Sequence, residues 1–142
     1  MAGKTDFKTL LRKSGYKATP ARLAVLTVLQ RSRNPVSAQE IMGSLPYDID
    51  QATVYRTVKS LKQKGIIRQI DLRQNHAHYE FADMAEHHHL VCVECGRIED
   101  VQHCKVEDWE GTVLKHSKQF AEIRQHALEF YGICKTCAQK KQ

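Results

Sequence analysis

The chain is short of several things, and each shortage closes a possibility. No apolar run approaches the ~20 residues of a membrane-spanning helix, although 42% of the 142 residues are hydrophobic. The opening Met1-Ala2-Gly3-Lys4-Thr5-Asp6 lacks the apolar stretch of a secretory signal. The sequence therefore reads as cytoplasmic, where thiols stay reduced and cysteines read as ligands before they read as disulfides. There is no P-loop, no Rossmann glycine pattern and no nucleophile–base–orienter set. Catalysis has little support on that inventory, and the expectation is a protein that is not an enzyme. The first 75 residues contain no histidine and the first 91 no cysteine.

What is present is unevenly shared. Residues 1–70 carry thirteen Lys/Arg against four Asp/Glu, a net of +9, while residues 71–142 carry nine against twelve, a net of −3. All eight histidines and all five cysteines fall in that second part. The length allows one medium domain or two small ones, and the division favours two. A basic module without metal donors suggests a polyanion partner; an acidic module rich in donors suggests metal.

The basic half punctuates itself. Phe7, Leu10 and Leu11 fit one face of a short helix that Gly15 ends. Thr19-Pro20 places a cap and an N1 proline before Leu23, Val25, Leu26 and Leu29. Ser37-Ala38-Gln39-Glu40 is a capping box before Ile41, Met42 and Leu45. Asp50 caps a helix over Gln51 to Lys64, with Val54, Val58 and Leu61 on one face and Ala52, Arg56, Lys59 and Gln63 opposite. Two strands around a turn follow, Ile66–Leu72 and His76–Phe81. Helices followed by a hairpin describe a winged helix-turn-helix whose last helix enters the DNA major groove. On that reading Tyr55 and Arg56 reach bases or phosphates, and Lys59, Lys13, Lys17 and Arg22 contact phosphates, which position without specifying. For any one Lys or Arg a solvated side chain explains as much; the combined pattern is more specific, and a protein-binding winged helix shares it.

The acidic half opens with Ala82 to Glu86, a weakly patterned stretch read as a hinge. Cys92 and Cys95 form a Cys-x-x-Cys closed by Gly96; Cys134 and Cys137 form a second. Four thiolates in two such pairs close a tetrahedron around one Zn²⁺ and leave no open position, which makes the site structural. A thioredoxin-like redox enzyme built on Cys92 and Cys95 is the rival, but it requires the motif to open a helix after a strand. Gly96 and Ile98–Val101 instead suggest a return strand. Val106, Trp109, Val113 and Leu114 fit a helix ending near Ser117, and Phe120 to Ile133 reads as a long strand leading to the second pair. Lys140 and Lys141 read as a polar tail. Cys104 reads as a buried or incidental thiol. A domain this small gains from a zinc knot and from a partner subunit.

The remaining donors sort by strand alternation. His87 and His89 point one way and His88 the other; His76, His78 and Glu80 share a face of the wing. Glu80 with His87 and His89, and Asp100 as a further ligand, can hold a metal that sets the angle between the halves. His88 can meet Glu107 and His126 in a second site. Such mixed imidazole–carboxylate sets suit Fe²⁺, Mn²⁺, Co²⁺ or Zn²⁺. Single histidines such as His103 and His116 are more often surface residues, and His126 also fits a satisfied core position.

Three motifs in order resemble the ferric uptake regulator family of metal-dependent repressors. They are Ala52-Thr53-Val54-Tyr55-Arg56, then Tyr79-Glu80-Phe81 with His87-His88-His89-Leu90-Val91-Cys92-Val93-Glu94-Cys95-Gly96, then Phe130-Tyr131-Gly132-Ile133-Cys134 with Cys137. The resemblance runs from about Leu10 to about Ala138. It implies an α+β chain: a winged-helix DNA-binding domain over 1–82, a hinge over 83–87, and a small α/β metal-binding dimerisation domain over 88–142. It implies a homodimer on palindromic double-stranded operators, closed onto DNA by metal, repressing uptake or stress genes. By position, Cys92, Cys95, Cys134 and Cys137 match the structural zinc site. Glu80, His87, His89 and Asp100 match the regulatory site for Fe²⁺, Mn²⁺ or Zn²⁺. His88, Glu107 and His126 match an additional site, and Tyr55 and Arg56 match DNA-contacting positions.

The sequence departs from the family at one position. Where many members carry a histidine before a Val-Ser-Ala segment, this chain has Pro35. The ligand from the DNA-binding half is therefore missing, and His78, His76 or Asp100 are the residues left to take its place. In the peroxide-sensing branch that histidine is an oxidation target, and Asp tends to stand where this chain has Glu80. Both differences weigh against peroxide sensing, which remains the alternative trigger through His87, His89 or Cys104.

Overall fold

In the computed structural model, described for residues 5–82, 84, 87–102 and 107–142 (backbone only at Glu107), the chain divides into two compact units, Met1–Met84 and Ala85–Gln142. Asp83, Ala85 and Glu86 of the expected hinge lie outside the described residues, as do His103, Cys104 and Val106. His87 already belongs to the first strand of the second unit.

The first unit is built on helices whose starts are fixed by side chains. They are α1 (Phe7–Lys13), α2 (Pro20–Arg31), α3 (Ala38–Gly43) and α4 (Gln51–Gln63). Asp6 accepts from the Lys8 amide, Thr19 from Arg22 and Asp50 from Thr53. Ser37 and Glu40 form the reciprocal box: the Ser37 amide donates to Glu40 Oε2 at 2.7 Å and the Glu40 amide to Ser37 Oγ at 3.2 Å. Each cap satisfies amides that the first helical turn leaves without partners. After α4 the chain reverses at Gly65, whose φ of +69° is a left-handed conformation that a Cβ disfavours. Leu11, Val25, Leu26, Ile41, Val54 and Leu61 are fully buried where the four helices meet.

A three-stranded antiparallel sheet follows, ordered β1–β3–β2, from β1 (Val36–Ser37), β2 (Ile67–Ile70) and β3 (His78–Phe81). The sequence suggests the hairpin but not β1, two residues that pair Val36 with Tyr79 and Ser37 with His78. Tyr79 and Phe81 pack on the helical core, so alternation turns His78 and Glu80 to the opposite face. His76 lies before the strand and is exposed. Four helices and a wing are the winged helix-turn-helix, with α4 as its exposed last helix.

The second unit centres on β4 (His87–Cys92). β5 (Ile98–Gln102) pairs with it antiparallel and β6 (Glu129–Gly132) parallel. α5 (Glu107–His116) lies between them in sequence, and α6 (Lys135–Lys140) follows. The long strand expected from Phe120 to Ile133 shrinks to its last part. Residues 117–128 form no helix or strand; the Ser117 hydroxyl instead takes the amides of Gln119 and Phe120 at 3.4 and 3.1 Å. A local acceptor competes here with a ladder. The tail expected at Lys140 belongs to α6, which the second cysteine pair opens. No helix among the described residues is long and apolar enough to cross a membrane.

Candidate metal centres and nucleic-acid interface

The first centre is assembled by two turns. Gly96, at φ +74°, lets the chain fold back after β4, with the Gly96 amide on the Cys92 carbonyl at 2.9 Å. Parallel pairing brings Gly132 beside Cys92, so Cys134 arrives next to the knuckle. The Cys134 amide donates to Cys92 Sγ at 3.3 Å. Ligand atoms of Cys92, Cys95, Cys134 and Cys137 all lie within 4.8 Å of one another. Four Zn–S bonds of ~2.3 Å in a tetrahedron set sulfur pairs about 3.8 Å apart, and Cys95 Sγ to Cys134 Sγ is 3.8 Å. The residues fit a structural Zn²⁺.

The electrostatics agree. Amides of Cys134 and then Cys95 hold the Cys92 thiol down to about 6. The crowded neighbouring sulfur of Cys134 pushes Cys137 up to about 12. Four sulfurs this close cannot all ionise alone; a dication makes that possible. Although the second pair does open a helix after a strand, a redox pair works by itself, and here the two pairs converge on one point.

The second cluster spans the sheet. His87, His88 and His89 are all buried, at 8, 3 and 1% exposure. Register puts Asp100 on one side of His89 and Glu129 on the other. His89 Nδ1 stands 2.9 Å from Glu129 Oε2, and His89 Nε2 stands 3.6 Å from Asp100 Oδ1. The His87 ring meets the His89 ring edge-on, centroids 4.9 Å apart. Two imidazoles and a carboxylate on one face suit a borderline divalent ion. Glu80, in the first unit, is 6% exposed and ion-paired with Arg68 at 2.6 Å; Arg68 is its direct partner across the hairpin.

His88 points to the other face, as alternation requires. Its Nε2 is 3.3 Å from Nε2 of His126, and Nδ1 of His126 is 2.8 Å from Glu110 Oε1. Two Zn–N bonds of ~2.05 Å at a tetrahedral angle place their nitrogens about 3.3 Å apart. The side chain of Glu107, the expected third ligand, lies outside the described residues. His116 is exposed at the end of α5. Glu110 and Glu129 escaped the sequence reading. Glu110 is one helical turn beyond Glu107, a signal that was there; Glu129 is placed by strand register, which left none.

On the first unit, Tyr55, Arg56 and Lys59 lie exposed along α4, and Lys13 and Lys17 are exposed at and after the end of α1. Arg22 is more constrained: Nη1 donates to the Lys17 carbonyl at 2.9 Å and the guanidinium stacks 4.3 Å above Tyr16. Tyr16 in turn donates to the Ser60 carbonyl at 3.2 Å. Arg22, Arg56, Thr53 and Tyr47, 48% exposed, line a groove between the starts of α2 and α4. Sequence reasoning passed over Tyr47.

A winged helix joined to a zinc-knotted unit that carries further histidine–carboxylate clusters defines a class, the metal-responsive transcriptional regulators. The sequence model of the ferric uptake regulator family matches residues 13–131, and the chain belongs to that family. It is 32% identical over 133 residues to the peroxide-responsive repressor PerR of Staphylococcus aureus strain USA300, covering 92% of this chain and 88% of that one. It superposes on the Vibrio cholerae ferric uptake regulator with a TM-score of 0.77 at 28% identity, over 91% of this chain and all of the other. The Helicobacter pylori ferric uptake regulator, described with three functional metal-binding sites, gives 0.77 at 27% identity, over 93% and 89%. Proteins of this family are transcription regulators that bind DNA operators as dimers.

Proposed function

We infer that this protein is a homodimeric repressor that binds palindromic operators when a divalent ion occupies its regulatory site. Residues 1–82 serve as the DNA-binding domain, 88–142 as the metal-binding dimerisation domain, and 83–87 as the link. The observation that carries this reading is the buried His87–His89 pair beside Asp100, separate from the four cysteines. These residues would hold Fe²⁺, Mn²⁺ or Zn²⁺; His88, Glu107 and His126 would form the additional site. The ion supplies a fixed charge that binds anionic and imidazole ligands at once. Tyr55 and Arg56 would contact the operator from α4, with Lys59, Lys17 and Arg22 on phosphates. The targets would be metal-uptake or stress genes, and the place of action the cytoplasm. Exposed Trp109, Val113 and Phe120 support burial against a second copy.

The test uses zinc-loaded protein and duplexes selected from a random pool with Mn²⁺ present. Mn²⁺ is expected to raise affinity at least tenfold, and His87→Ala with His89→Ala to abolish that gain while zinc content stays unchanged. Equal affinity with and without Mn²⁺ and Fe²⁺ would leave only a constitutive binder. A second reading, peroxide sensing, is favoured by the staphylococcal relative. It requires a one-oxygen mass gain on His87 or His89 when the Fe²⁺-loaded protein meets peroxide. Pro35 and Glu80 weigh against it.

A further inference from the structure

Across the second sheet, three side chains stand in one row: Asp100 on β5, His89 on β4 and Glu129 on β6. Directly paired residues share a face, so the imidazole lies between two carboxylates. The two contacts differ. Glu129 Oε2 takes both Nδ1 of His89, at 2.9 Å, and the His89 backbone amide, at 3.1 Å. Asp100 stands 3.6 Å from Nε2, at the range of two ligands of one ion rather than a hydrogen bond.

We propose that Glu129 is a positioning residue of the regulatory site. It fixes the proton of His89 on Nδ1 and so presents Nε2 in its unprotonated, metal-binding form on the Asp100 side. A buried imidazole with one nitrogen on a carboxylate has a single stable tautomer, and the carboxylate also raises the basicity of the other nitrogen. The amide contact holds the carboxylate in place, so the ring is aimed by the backbone of the strand that carries it. At 17% exposure the Glu129 side chain keeps little water to compete for the contact. The opposite face repeats the arrangement: Glu110 takes Nδ1 of His126, whose Nε2 faces His88.

This inference rests on His89 being a regulatory ligand, and the experiment separates the two. Zinc-loaded full-length protein is titrated with Co²⁺ under a competing chelator, for wild type, His89→Gln, Glu129→Gln and Glu129→Leu. Long-range ¹H–¹⁵N spectra of histidine-labelled, Co²⁺-free protein report the His89 tautomer, assigned by its loss in His89→Gln. Removal of such an outer carboxylate typically weakens metal binding about 10- to 100-fold, and Glu129→Leu is expected in that range with part of the Nδ1–H population moved to Nε2–H. Glu129→Gln still accepts the proton, so the tautomer stays while affinity falls by a smaller factor. Zinc content stays constant in both. Wild-type affinity in both variants overturns the proposal while leaving the site intact. If Glu129→Leu loses its zinc, wild-type affinity in Glu129→Gln alone overturns it. Should wild type take up no Co²⁺ beyond its zinc, or His89→Gln bind it normally, the regulatory assignment of His89 fails and this inference with it.

Discussion

The two units of the chain solve the same problem by opposite means. The first buries its apolar residues: Leu11, Val25, Leu26, Ile41, Val54 and Leu61 are fully inaccessible. In the second, among the described residues, only Val91 and Cys92 are buried hydrophobics, while Leu90, Val93, Trp109, Val113, Phe120, Phe130 and Ile133 are exposed. Its interior is instead polar and made of donors, with three buried histidines and the cysteine knot. A small domain without an apolar centre leans on metal and on association. The difference teaches where each unit is vulnerable: one to cavities, the other to chelation.

The sharpest way to break this comparison is to remove the zinc, with a strong chelator or by Cys92→Ser. Structural zinc contributes on the order of 10 kcal/mol to folding in small metal domains. The second unit is expected to lose its dispersed amide spectrum, and the protein the dimeric sedimentation proposed for it, while amides of residues 5–82 stay put. A second unit still folded without metal would end the contrast. A smaller effect runs the other way. Leu61→Ala should cost about 2–5 kcal/mol by leaving a cavity at the helical crossing, read by urea unfolding of the first unit at unchanged zinc content. An unfolding curve identical to wild type would mean that α4 is not anchored as described.

The smallest effect concerns acid. The Thr53 hydroxyl, and then its amide, hold the Asp50 carboxyl below its ordinary 3.8. A depressed carboxylate contributes stability above its unfolded value, and that contribution fades as pH falls through the lower folded one. Asp50→Asn caps without titrating. Its stability relative to wild type should therefore improve as pH drops below about 4, measured by thermal melts across pH. A pH-independent difference would remove the titrating cap.

Legibility follows the same division. The first unit is written in local signals. Thr19-Pro20, Ser37 with Glu40, and Asp50 before Val54 act within one helical turn, so each can be read without knowing what lies opposite. Cys92–Cys95 and Cys134–Cys137 are as legible, because each pair sits on a single turn. What escaped depends on neighbours distant in sequence. Glu129 matters because parallel pairing sets it beside His89, forty residues earlier. β1 exists because β3 comes to it. Phe120 to Ile133 reads as one strand-like run, but only Glu129–Gly132 has a partner ladder, and a strand without one is not a strand. The helix over Lys135–Lys140 starts directly from the second cysteine pair, whose spacing answers to the metal and carries no helix signal.

The knot has a consequence for biosynthesis. Its two halves are separated by most of the second unit, and a parallel ladder brings them together, a slow kind of closure. While the chain is being made, Cys92 and Cys95 emerge first and offer half a cage. Capture becomes tight only once residue 137 has left the ribosome. Until then the wing and its helices can fold on schedule, while the second unit waits for its last strand and its metal.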